Sequence, residues 1–172
     1  MSDYRRRYLP GGCYFFTVVT YGRRPLFGRP EPVELLREAM RDVKRRRPFE
    51  IQAMVVLPDH LHTVWQLPEG DADFSRRWRD IKHDVSVRAD APVNRRGEKE
   101  VWQRRFWEHA IRNEEDWRRH IDYVHYNPVK HGLARAAGDW PYSSFRRAVA
   151  EGWYPPEWGG IEPGDLRDWD LE

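Results

Sequence analysis

Two histidines stand one residue apart in Pro58-Asp59-His60-Leu61-His62. Side chains at i and i+2 of a strand point to the same face, so His60 and His62 share one side with Leu61 opposite. Paired imidazoles are half of a metal site, although an HxH also arises by chance in a chain with seven histidines. The second group is Tyr123-Val124-His125-Tyr126-Asn127. Helical positions i and i+4 lie on one face, so Tyr123 and Asn127 project together, while Tyr126, about 300° around the axis from Tyr123, faces elsewhere. Taken alone, this pattern also describes a core tyrosine with its hydroxyl at the rim and an Asn-Pro helix stop. Together the two groups supply what phosphoryl transfer to tyrosine needs. A phenol of pKa about 10 is a poor nucleophile at neutral pH. A metal held by two imidazoles and an amide oxygen would polarise a phosphate oxygen while the phenol attacks in line. The chain has no Walker-type glycine loop, GxSxG or CxxC, so nucleotide-loop, serine-hydrolase and dithiol chemistry have no local support.

These groups need a strand and a helix to position them. Residues 14–21 are aromatic and β-branched and end at Gly22, which predicts a strand. Val33, Leu36, Met40 and Val43 recur at helical spacing over 32–46, and Phe74, Trp78, Ile81 and Val85 do so over 71–88. Residues 49–57 and 61–67, separated by Pro58-Asp59-His60, predict an antiparallel pair. Residues 90–100 read as a polar loop and 101–111 as a further strand. Asn113 is an N-cap for an acidic first turn and a helix carrying Trp117, Ile121 and Val124, which Asn127-Pro128 should end or kink. The order predicts an α+β fold: a ferredoxin-like antiparallel sheet with helices on one face and the tyrosine helix packed across it. Residues 1–147 form the domain, and 148–172 form an irregular Trp/Pro/Gly-rich extension.

The chain of 172 residues is long enough for one packed domain, and 14% aromatic residues, nine of them Trp, exclude intrinsic disorder. Cys13 is the one cysteine, so no internal disulfide forms. No apolar run approaches the roughly 20 residues of a membrane span. The basic start and the apolar stretch after it imitate a leader, but Thr17, Thr20, Arg23 and Arg24 interrupt it without a cleavage site. A cytosolic protein is expected. The net charge of +2 hides a split: residues 1–147 hold 29 bases against 21 acids, or +8, and residues 148–172 hold one base against seven acids, or −6. Lysine occurs only at 44, 82, 99 and 130, so most cations are arginine, which suits phosphate contacts.

The segments YFFTVVTYGRRPLF (14–27), MVVLPDHLHTVWQLP (54–68), VWQRRFWEHAIRNEEDW (101–117) and YVHYNPVKHGLARAAGDWPYSSF (123–145) resemble those of the REP-associated tyrosine transposases, a bacterial branch of the HUH single-strand DNA transposases. The resemblance covers most of the chain up to about residue 150. It implies that His60 and His62 are the metal-binding pair, Asn127 the third ligand, Tyr123 the nucleophile, and Mg²⁺ or Mn²⁺ the cofactor. Two imidazoles by themselves suit Zn²⁺ or Ni²⁺ at least as well. The implied reaction cuts single-stranded DNA beside a palindromic hairpin, links Tyr123 to the 5′ phosphate, and rejoins strands by reversal. Candidate DNA contacts are Arg5, Arg6, Arg7, Arg23, Arg24, Arg104, Arg105 and Trp102, with Phe106 and Trp107 beside them; at least half should prove to be core rings or solvated charges. His109 and His125 could orient the tyrosine or a phosphate, or serve structure.

The expectation is thus a nucleoid-associated bacterial enzyme acting on hairpin DNA, a monomer, with a homodimer exchanging its tyrosine helix as the alternative. Two other functions compete: a replication-initiating nickase, and a regulator that binds hairpins without cutting. The acidic tail is expected to fold back on the basic DNA face with Trp153, Trp158 and Trp169 as anchors, or to pack on the back of the domain as a solubilising extension.

Overall fold

The computed structural model describes residues 5–167 and 169–171; Asp168 and Glu172, two of the tail's acids, lie outside the described residues. Four strands form one antiparallel sheet in the order β2-β3-β1-β4, with β1 at Cys13–Val19, β2 at Glu50–Val56, β3 at His60–Gln66 and β4 at Trp107–Ala110. Alternation sends Tyr14, Phe16, Val18, Leu61 and Trp65 into one core, and Phe15 and Val64 of the same strands into another on the opposite face.

Two helices, α1 (Pro30–Arg46) and α2 (Phe74–Arg88), cover the first face through their apolar stripes. Trp78 of α2 stacks on Trp65 at 4.4 Å between ring centroids. Asp73 caps α2 by accepting from Arg76 N. The Arg77 guanidinium, 1% exposed, donates to the Asp71 carboxylate and to the carbonyls of Arg47, Pro48 and Asp73, which ties the start of α2 to the end of α1. A buried charge is tolerated when all its donors are so engaged.

Helix α3 (Glu114–Lys130) lies across the second face against β2 and β3, so the tyrosine helix sits opposite the other two. Asn113 caps it, accepting from Asp116 N at 2.8 Å. The expected stop at Pro128 does not occur. A proline removes a single N–H, here the one that would reach the Val124 carbonyl, and the helix runs on to Lys130. It ends where Gly132, at φ +67°, donates to Val129 O and Leu133 N donates to Pro128 O, a glycine-terminated cap.

The expected strand over 101–111 is also shorter, reduced to β4 and an isolated Thr20–Trp102 bridge. Lys82 Nζ donates to the carbonyls of Gln103 and Arg104 and holds that stretch toward α2 instead of the sheet. On the other edge, residues 142–144 bond to Met54 and Val56 and cover β2. Helix α4 (Phe145–Ala150) follows, and the chain then returns over α3, burying Tyr154 and Leu166 with Ile121 and Val124.

Candidate active site

His60 and His62 point from β3 to the α3 face and are 2% and 0% exposed, with ring centroids 4.9 Å apart. Each is held through Nδ1. Thr17 pairs with His62 across β1 and β3, bringing its Oγ1 to 2.9 Å from Nδ1. His60 Nδ1 lies 2.6 Å from Asp59 Oδ1. Burial pushes the Asp59 carboxyl up, but His60 and the Arg23 guanidinium outweigh it and hold the group below its ordinary range. With Nδ1 engaged, Nε2 is the atom each ring can offer a metal.

Tyr123, 1% exposed, sets its ring edge-on to His62 at 5.2 Å, and its hydroxyl accepts from Lys130 Nζ at 3.3 Å. Asn127, one turn on, is fully buried, and neither Oδ1 nor Nδ2 has a hydrogen-bond partner among the described residues. Leaving a buried amide unsatisfied costs about 1–3 kcal/mol. That cost falls on the same helical face as Tyr123, which meets His62, and fits a donor set with the two imidazoles for a divalent cation. Tyr126 turns toward Trp158, 6.5 Å away.

Two residues that sequence reasoning passed over complete this face. Lys130 touches the phenol, and the His131 ring lies 5.3 Å from His60. Positions 123, 127, 130 and 131 follow i, i+4, i+7 and i+8, a single stripe once the helix passes Pro128.

A second group, His109, Asp116 and His120, brings its ligand atoms within 4.8 Å of one another. Asp116 is already engaged by His109 Nε2, Arg112 N and the Arg112 guanidinium. Burial raises its pKa, but His109 and the Arg112 amide overcome this and bring it down to about 2. Burial lowers His120 to about 4. His125 is buried between Ser144 and Tyr154 and is lowered to about 3 by burial, as befits a neutral structural histidine.

Among the basic candidates, Arg6 lies over Phe106 and bonds Glu108, Arg23 pairs with Asp59, Arg24 with Glu100, and Arg104 with Glu98. Arg5, Arg7 and Arg105 are exposed. Trp102 is 8% exposed, packs on Phe27 and donates to Lys82 O, so it is a core ring with little face left for a base. Trp107 is 38% exposed. With Thr17, Val19, Arg23, Arg105 and Phe106 it lines a groove of about 580 Å³.

The tail reaches the site. Trp169 packs on Tyr123 and His120 at 5.4 and 4.8 Å, under the Arg119 guanidinium at 4.1 Å. Asp170 pairs with Lys130 at 3.0 Å, and Leu171 N donates to the Tyr123 hydroxyl at 3.2 Å. Trp153 packs on Trp117, and Trp158 on Tyr154, both away from the tyrosine.

A His-x-His strand whose imidazoles face a tyrosine helix packed on the same side of an antiparallel sheet is the architecture of an HUH-type transposase. Residues 12–126 match the family described as "Transposase IS200 like". The chain is 52% identical over 160 residues to the REP-associated tyrosine transposase of Escherichia coli K12, covering 93% of this chain and 92% of that one. A Haemophilus influenzae relative is 41% identical over 167 residues, 93% and 94% of the two chains. A solved structure of a REP-associated tyrosine transposase bound to a REP hairpin superposes with a TM-score of 0.81 at 49% identity, covering 96% of each chain. The chain therefore belongs to the IS200-like transposases and, within them, to the REP-associated tyrosine transposases. No helix of the described residues is long and apolar enough to cross a membrane.

Proposed function

We propose that this transposase cuts and rejoins single-stranded DNA beside a palindromic hairpin, through a phosphodiester link to Tyr123. The observation that carries the reading is Tyr123 set against the His60–His62 pair with the buried Asn127 amide one turn away. His60, His62 and Asn127 would hold a divalent cation, Mg²⁺ or Mn²⁺. When bound, it supplies Lewis-acid polarisation of a phosphate oxygen.

The chain's own residues do the rest. The Tyr123 phenol attacks phosphorus, a 3′ hydroxyl leaves, and the phosphotyrosine retains the bond energy for rejoining. Lys130 donates to the phenolic oxygen and favours the phenolate as the proton departs. Thr17 and Asp59 fix both imidazoles. The groove beside Thr17 offers Phe106 and Trp107 for base stacking and Arg23 and Arg105 for phosphates of the single strand. The hairpin held by the solved relative supports a hairpin substrate for this chain. The contact of Tyr123 of α3 with His62 of its own chain supports the monomeric reading over a helix-exchanged dimer.

The test incubates labelled hairpin oligonucleotides with Mn²⁺ or Mg²⁺ and resolves covalent adducts on a denaturing gel. A metal-dependent adduct, lost in Tyr123→Phe, is expected. Tight binding without adduct across a broad hairpin pool would reassign the protein as a non-cleaving regulator.

A further inference from the structure

Residues 92–101 fold into a small, braced finger. Val93 pairs with Lys99, Asn94 N bonds Glu98 O at 2.9 Å, and Glu100 N bonds Pro92 O at 2.8 Å. The Asn94 side chain closes the tip, its Oδ1 accepting from Arg96 N at 2.9 Å and Glu98 N at 3.0 Å, while Gly97 takes φ +77°. The base is anchored from below, where Lys99 Nζ donates to the carbonyls of Val87 and Ala89 at the end of α2. The turn therefore presents Arg95 and Arg96 in a preset arrangement. Both are exposed, and among the described residues their guanidinium groups make no hydrogen bond or ion pair.

The finger stands at the histidine end of the sheet. Tyr21 N donates to Val101 O, Gln103 N donates to Val19 O, and Val19 pairs with His60. Two strand spacings of about 4.8 Å put the finger's base about 10 Å from His60. A cleft of about 390 Å³ lies at its root, lined by Tyr21, Arg95, Arg96 and Arg104 together with Glu98 and Glu100, which pair with Arg104 and Arg24. The two flanks of this end differ in chemistry. The groove beside Thr17 has the stacking rings that unstacked bases require. The finger's tip carries guanidinium groups and no ring, which suits a duplex whose bases stay stacked on each other and whose phosphates are the accessible groups.

We infer that the finger grips the double-stranded stem of the hairpin, with Arg95 and Arg96 on its phosphates, while the groove takes the adjoining single strand to Tyr123. This rests on the hairpin reading above and adds where the stem lies. The turn fixes the backbone at both arginines, so only their side-chain rotamers remain to be ordered on binding.

The experiment measures binding of the full chain to a labelled hairpin carrying a single-stranded flank and to an unstructured strand of equal length and composition, over a salt series. Wild-type protein is compared with Arg95→Ala/Arg96→Ala, two exposed positions, with circular dichroism as the check that the fold is retained. The double variant should lose about tenfold in hairpin affinity and reduce the salt slope by about 2, with the unstructured strand unaffected. Asn94→Ala, which keeps both charges but loosens the turn, should show a smaller hairpin-specific loss. Unchanged hairpin affinity and slope in the double variant, or equal loss on both DNAs, would overturn the stem assignment. Wild-type protein binding both DNAs equally would overturn the hairpin reading and the finger's role with it.

Discussion

Each imidazole of the His60–His62 pair is oriented through the atom behind it. For His62 that atom is Thr17 Oγ1, 2.9 Å from Nδ1 and delivered by the strand register. Outer partners of this kind typically affect metal affinity by about 10–100-fold. Thr17→Val keeps the shape and removes the hydroxyl, so the Mn²⁺ concentration for half-maximal adduct formation should rise by about that factor with the maximal adduct yield nearly retained. An unchanged Mn²⁺ requirement would assign Thr17 to packing alone. His60, His62, Tyr123 and Asn127 were legible in the sequence because two short spacings, i+2 on a strand and i+4 on a helix, bring each pair to one face. Thr17 was not legible, because its role comes from a cross-strand partner 45 residues away. Lys130 and His131 were hidden by Pro128, which reads as a stop and is instead spanned by the helix.

Helix α3 carries the tyrosine and also a buried acid. Asp122 is 9% exposed and accepts from the Tyr154 hydroxyl at 2.6 Å, with Asp165 close by. Burial raises its pKa to about 6, assisted by Asp165, against an ordinary value near 3.8. A folded-state carboxyl raised in this way favours the protonated form. Its stabilising contribution is complete below the unfolded pKa and is lost as pH rises through about 6. The difference in melting temperature between Asp122→Asn and wild type should therefore favour the variant increasingly from about pH 4 to pH 6 and level off above about pH 7. A difference independent of pH would show that Asp122 titrates alike in both states. At this scale the apolar periods of α1 and α2, the antiparallel β2–β3 pair and the Asn113 cap were readable, since local pattern determines them. The short β4 was not: its apolar-rich stretch over 101–106 is diverted by Lys82 of α2, a tertiary contact that no local pattern encodes.

Over the whole molecule, a body of +8 carries a tail of −6, and residues 169–171 of that tail reach Tyr123, the proposed nucleophile. Trp169 on Tyr123, the Lys130–Asp170 pair and the Leu171 amide together bury the phenol that the proposed reaction must expose. One partly exposed ring, one surface ion pair and one hydrogen bond amount to about 2–3 kcal/mol. A cover held by that much is open only a small fraction of the time, and the apparent affinity for anything needing the open state falls by the same fraction. A chain ending at Arg167 should therefore bind single-stranded DNA and form the Tyr123 adduct about 10–100-fold better than the full chain at low salt. The advantage should narrow as salt rises, because screening weakens the Lys130–Asp170 contribution in the intact chain. The measurement is adduct formation by both chains on one hairpin oligonucleotide over a salt series, with Tyr123→Phe as the blank in each. Equal rates for the two chains at low salt would mean that the tail packs on the domain without restraining Tyr123. A faster truncated chain whose advantage did not vary with salt would assign the restraint to Trp169 and the Leu171 amide rather than to the ion pair.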